Sequence, residues 1–132
     1  MEITLIAAAV ALGGLVIAFF LYKKVNSIEI ENETVADITN QIREGAIAFL
    51  KAEYRYLSVF VVIVAILLYF NNGMETSLAF LGGAFASVLA GLSGMKAATS
   101  ANGRTAMAAQ KDGQAGALAV AYNGGAVMGL SV

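Results

Sequence analysis

The sequence predicts an all-α, polytopic membrane protein. Three observations carry that prediction. First, 59% of the 132 residues are hydrophobic and only 13% are charged, whereas a soluble domain carries about 25% charged residues to wet its surface. Second, the uncharged residues fall into runs of membrane-spanning length. Third, every basic residue falls between alternate runs.

The first run, Ile3–Tyr22, has 20 residues free of Asp, Glu, Lys and Arg. Glu2 precedes it and Lys23 and Lys24 follow it. A cleaved signal peptide has its basic residues before the apolar stretch, so this polarity predicts a retained anchor with its N-terminus outside. The next two runs, Tyr56–Met74 and Thr76–Met95, have 19 and 20 residues. About 20 helical residues cross the hydrocarbon core, so each predicts one span. The last run, Gly113–Val132, is polar at its start. Its apolar part, residues 117–132, is short for a span, which predicts that the chain stops inside a fourth helix. The expected spans are therefore 3–22, 56–74, 76–95 and 117–132, with 1–132 the N-terminal part of one membrane domain.

The eight basic residues are Lys23, Lys24, Arg43, Lys51, Arg55, Lys96, Arg104 and Lys111. All lie in the first or third connection, and none in the N-terminal tail or in Asn71–Glu75. Basic connections stay in the cytoplasm, which again places the N-terminus outside.

The connections differ in kind. Glu29, Glu31 and Glu33 form an acidic loop with no helical face. Thr34 followed by Asp37 reads as a capping box. Ile38, Ile42, Phe49 and Leu50 then recur at helical spacing among charged residues, which predicts an amphipathic cytoplasmic helix over 34–55 running into the second span. Asn71-Asn72-Gly73 suits a tight helical hairpin. The cytoplasmic connection 96–116 is Ala-rich and predicts a continuation of the third helix, broken at Gly113 or Gly116. Small residues recur every four positions in the third span (Gly82, Ala86, Ala90, Gly94) and the fourth (Ala117, Ala121, Gly125, Gly129). Small side chains let helix backbones approach closely in lipid, so both stripes are read as packing faces.

Composition excludes much chemistry. The chain has no His and no Cys, hence no imidazole or thiolate catalysis and no His/Cys zinc site. A net charge of −1 and the absence of a basic stretch interleaved with aromatics argue against nucleic acid as a partner. No Asp, Glu, Lys, Arg or His lies inside an expected span, and moving an ion across a membrane usually needs such a group. Asp112 is isolated, and Glu44 and Glu53 with Arg43 and Lys51 read as solvated or ion-paired. Lys96, Arg104 and Lys111 could face an anionic substrate, but topology and lipid headgroups account for them better. The residues alone therefore describe a scaffold, and no catalytic, cofactor-binding or metal-binding residue is assigned.

Three stretches nevertheless form a pattern. They are Ile42–Tyr54 (IREGAIAFLKAEY), Gly94–Ala109 (GMKAATSANGRTAMAA) and Ala117–Val132 (ALAVAYNGGAVMGLSV). In order and spacing the sequence resembles the beginning of the membrane-bound inorganic pyrophosphatases that pump protons or sodium ions. The motifs Ala-Asn-x-Arg-Thr-Ala and Gly-Gly-Ala-Val-Met-Gly-Leu carry the resemblance together. Gly103 stands where a larger residue is usual, and Lys23–Thr34 matches nothing distinctive. The resemblance implies a homodimeric, many-span enzyme in two concentric rings that hydrolyses pyrophosphate and exports H+ or Na+ from the cytoplasm of a prokaryotic plasma membrane. It also implies Mg2+ as cofactor and possible K+ dependence. The family's Asp-rich sites lie in inner-ring spans beyond these residues. This chain would then be an outer-ring segment, inactive alone and completed by the remaining spans. The alternatives are a standalone small membrane interaction or assembly protein without catalysis, and a transporter of another class.

Overall fold

The computed structural model describes residues 2–132, and among them there is helix but no strand. Helix α1 spans Glu2–Asn26, α2 spans Glu33–Asn72 and α3 spans Met74–Ser131. All three are long and apolar enough to cross a membrane.

Helix α1 has an acid in its first turn, Glu2, and Lys23 and Lys24 in its last, which complements the helix dipole at both ends. Lys23 also sits 4.9 Å from the centre of the Phe19 ring. The acidic loop follows with Glu29 and Glu31, whereas Glu33, expected in the loop, opens α2. Helix α2 starts two residues earlier than the capping-box reading placed it. Asn32, not Thr34, is the cap, and its side chain accepts a hydrogen bond from the Val35 amide at 3.2 Å. The helix then runs unbroken for 40 residues, about 60 Å at 1.5 Å per residue. The expected amphipathic segment and second span are thus one rod, half as long again as the membrane is thick.

The hairpin after α2 is tighter than three residues. Gly73 alone leaves the helical conformation, with φ 87° and ψ 175°, a region that residues with a Cβ avoid. The chain then returns along α2. Ser77 donates to the Ala65 carbonyl at 2.8 Å, Tyr54 donates to the Val88 carbonyl at 3.4 Å, and Thr39 stands against Gly103. These contacts keep one antiparallel register from the hairpin to Thr39 on α2 and Gly103 on α3.

Helix α3 holds a second reversal. Gly113, at φ 68° and ψ −160°, breaks it into two limbs, 74–112 and 114–131. The second limb folds back on the first, so that Met128 reaches Gly94, Val127 joins Ala97, Gly124 meets Ala101 and Val120 joins Ala108. Of the two glycines that the sequence offered for this break, Gly113 makes it and Gly116 stays helical. Helix α1 packs beside both limbs, placing Ala18 and Val25 in the two small buried clusters.

The small-residue stripes are only partly where the spacing put them. Gly94 is buried and Ala90 half-buried, but Gly82, Gly125 and Gly129 have nothing near the place a Cβ would occupy. On the second limb the packed face is Val120, Gly124 and Val127, one step round from the expected Ala121, Gly125 and Gly129. Large apolar residues could form the contact because Ala97, Ala101 and Ala108 opposite are small. The expected amphipathic face of α2 is only partly the packed one: Leu50 is buried, with Thr39 beside the face, while Ile38, Ile42 and Phe49 are exposed. Most apolar side chains in all three helices face outward, as lipid-facing side chains do.

Candidate functional site

The polar residues gather at the end of the bundle remote from Gly73, where α1 ends and the first limb of α3 extends past its apolar stretch. Their centre is Arg104. Its Nε donates to the Ile28 carbonyl at 2.9 Å, and one terminal nitrogen donates to the Ser100 carbonyl at 2.7 Å and to Ser100 Oγ at 2.8 Å. The other reaches the Asn26 carbonyl at 3.4 Å. Ser100 Oγ in turn donates to Asn26 Oδ1. The guanidinium fork thus satisfies carbonyls that the end of α1 leaves unpaired. Its positive charge also lies at the negative end of that helix dipole. Ser100 is 2% exposed, so the clasp closes over a buried hydroxyl. Burial lowers the Arg104 pKa, and the nearby charge of Arg43 lowers it further. An arginine so placed is still a cation, because its ordinary value lies far above neutrality.

Lys111 lies further along the same limb, where its Nζ contacts Glu31 Oε1 at 2.6 Å. That hydrogen bond and charge raise the Lys111 pKa. Both side chains are more than half exposed, so the pair adds little stability. Its geometric effect is to tether the acidic loop a second time, beyond the Arg104 clasp.

Lys96, Arg104 and Lys111 therefore do not converge on one anion. Arg104 turns inward and Lys111 is paired. Lys96 instead lines a cavity of about 240 Å³ with Arg43, Tyr22 and Thr99. Neither the Arg43 nor the Lys96 side chain has an ion-pair or hydrogen-bond partner among the described residues. Glu44 and Glu53 are exposed and likewise unpaired among those residues. Asp112 is exposed beside the Gly113 break. No three Asp or Glu residues among those described stand close enough to hold a metal ion.

Sequence reasoning singled out Arg104 but missed its partners. Asn26 and Ser100 looked like ordinary polar residues of a loop and an Ala-rich helix. Only the parallel arrangement of α1 and the first limb brings them together. Tyr54 was likewise legible only as part of a motif. Its hydroxyl fills the space left by the missing side chain of Gly91, where a Cβ would stand 2.9 Å away.

Residues 12–132 match the sequence family described as inorganic H+ pyrophosphatase. The chain is 45% identical over 116 residues to a putative K+-stimulated pyrophosphate-energized sodium pump of Clostridium tetani, an overlap covering 88% of this chain and 17% of that protein. It is 38% identical over 120 residues to a K+-insensitive pyrophosphate-energized proton pump of Methanosarcina mazei, covering 89% of this chain and 18% of that one. It is also 46% identical over 101 residues to a K+-stimulated pyrophosphate-energized sodium pump of Thermotoga maritima, covering 76% and 14%. The chain thus spans less than a fifth of the length of these relatives. This similarity and three apolar helices of spanning length make it an integral membrane protein.

Proposed function

From the premise that this chain belongs to the inorganic H+ pyrophosphatase family, we propose that it is a supporting, outer-ring segment of a pyrophosphate-energised cation pump. The complete enzyme would couple pyrophosphate hydrolysis to export of H+ or Na+. This segment would supply helices that brace the catalytic core and carry no reacting group. The observation that carries the reading is the distribution of charge. The apolar stretches hold no ionisable side chain that could bind and release a transported ion, and the polar end holds a structural clasp.

Pyrophosphate chemistry calls for Mg2+ ions that bridge the phosphates and are held by several carboxylates. The acids present here do not fit that role. Glu31 is engaged by Lys111, and the others form no cluster among the described residues. The ligands for Mg2+, and for K+ where it is needed, would come from the rest of the enzyme. The same holds for the selectivity between H+ and Na+. The partners of this segment would be the remaining spans, the lipid bilayer and a second protomer of a homodimer.

The proposed setting is a prokaryotic plasma membrane with the N-terminus outside. The confinement of all basic residues to alternate connections supports that orientation, which puts the Arg104 clasp in the cytoplasm and the Gly73 hairpin outside. Hydrolysis of pyrophosphate by the purified chain with Mg2+ tests the supporting role. No phosphate release above a protein-free control is expected, and catalytic turnover would sink the reading.

A further inference from the structure

We infer that the cavity at Arg43 and Lys96, together with the apolar groove beneath it, is a binding site for one anionic phospholipid. Charge supplies the first reason. Arg43 and Lys96 line one small cavity with the hydroxyl-bearing Tyr22 and Thr99. Arg104 lies close enough for Arg43 to perturb it. Arg104 spends its donors on Ile28, Ser100 and Asn26. Arg43 and Lys96 keep theirs free among the described residues. Two like charges lining one small cavity call for an anion, and both have donors to offer it.

Shape supplies the second. The cavity shares Leu50 and Met95 with a groove of about 870 Å³ between α2 and the first limb of α3. That groove is lined largely by apolar side chains, from Phe49 to Val61 along α2. It is about 18 Å long at 1.5 Å per residue and runs from the polar part of α2 into the second apolar run at Leu57 and Val61. Glu53 also lines the groove. It lies on the Gly73 side of the two cations and repels a phosphate from the groove itself, leaving the cationic mouth as the place for it.

Depth supplies the third. The helix register puts Lys96 level with residue 46 on α2 and just past the apolar run 76–95, with Arg43 about one turn further out. By the α3 run this is the level of the cytoplasmic headgroups in the proposed orientation, and by the α2 run, which begins at Tyr56, it lies further out on the same side. A free phosphate would use the mouth and leave the groove empty, whereas a phospholipid fills both. The ligand is therefore a phosphodiester head on acyl chains.

The test is native mass spectrometry of the 132-residue chain taken from vesicles of phosphatidylglycerol and phosphatidylcholine. One phosphatidylglycerol should be retained, with a preference over phosphatidylcholine of roughly thirtyfold, as two interfacial cations would give. Arg43→Gln with Lys96→Gln should remove most of that preference. Arg43→Lys with Lys96→Arg should keep it. Lys23→Gln with Lys24→Gln, which removes the same charge outside the cavity, should also keep it. Helicity by circular dichroism establishes that each variant is folded, and the charge-keeping pair reports on the site even where the glutamine pair is not. Glycerophosphate and pyrophosphate at millimolar concentration should leave the lipid bound. Equal loss in the Lys23/Lys24 variant, absence of a headgroup preference, or displacement by pyrophosphate would each overturn the assignment.

Discussion

Replacing Gly124 with Ala probes the second reversal most sharply. A Cβ at this position would stand 2.5 Å from the Cβ of Ala101 on the facing limb. Non-bonded carbons rest about 3.5–4.0 Å apart, so the limbs must part locally by about 1 Å. Ala97 with Val127 and Ala108 with Val120 lie on the same interface and lose contact as it opens. Overpacking of this kind costs about 1–3 kcal/mol. Helix propensity works the other way, since Ala is favoured over Gly by about 1 kcal/mol. Gly125→Ala isolates the two effects, because nothing lies within 4 Å of its added methyl while the gain in propensity is the same. Thermal unfolding in detergent, followed by circular dichroism, should place the Gly124→Ala midpoint below that of Gly125→Ala by an amount equivalent to about 1–3 kcal/mol. Equal midpoints, or a lower one for Gly125→Ala, would refute the packing assigned to the second limb.

Other consequences can be checked separately. Arg104→Gln should free the end of α1, costing about 1.5–3 kcal/mol for lost charged hydrogen bonds, and hydrogen exchange should rise at residues 25–28 before it rises elsewhere. Gly113→Ala should strain the reversal, because φ is 68° there; a destabilisation of about 1 kcal/mol or more is expected in the same unfolding assay. The raised pKa of Lys111 means that its pairing with Glu31 is fully present below the ordinary lysine value and is lost as pH rises through the raised one. Glu31→Gln should lower the Lys111 titration midpoint measured by NMR, with little change in stability because both groups are exposed. The chain lacks cysteine, so Ser27→Cys and Asn72→Cys can be labelled singly in intact cells. An impermeant maleimide should reach position 72 and not position 27, and the reverse pattern would invert the proposed orientation.

Much of the fold could be read from the sequence because membrane helices are set by local constraints. The uncharged runs located the helices, the stretch Asn71–Gly73 located the first hairpin, and Gly113 was one of two glycines offered for the second. The continuity of 34–55 with the second span also followed from periodicity. Rotation about each helix axis was not legible. In lipid both faces of a helix are apolar, so hydropathy does not distinguish the packed face from the exposed one. This is why the regular spacing of small residues points to Gly125 and Gly129, whereas the packed face is Val120, Gly124 and Val127. The same limit hid the clasp. Arg104 stood out as a charge in a motif, but Asn26 and Ser100 become its partners only when α1 lies parallel to the first limb. The Arg43–Lys96 cavity needs a further step, the antiparallel register of α2 on α3, which depends on contacts as distant as Ala65 with Ser77 and Thr39 with Gly103.

The central claim is that these helices contribute to a pyrophosphate-energised pump by packing against the rest of it. It is tested most directly by joining this chain to what it would brace. A sodium-pump relative lacking the 116 residues that this chain matches would be co-expressed with the chain, and Mg2+-dependent pyrophosphate hydrolysis measured in the membranes. The account predicts no hydrolysis from either piece alone and recovery from the two together. Hydrolysis by the deleted relative alone, or none from the two pieces co-purified as an inserted complex, would contradict it.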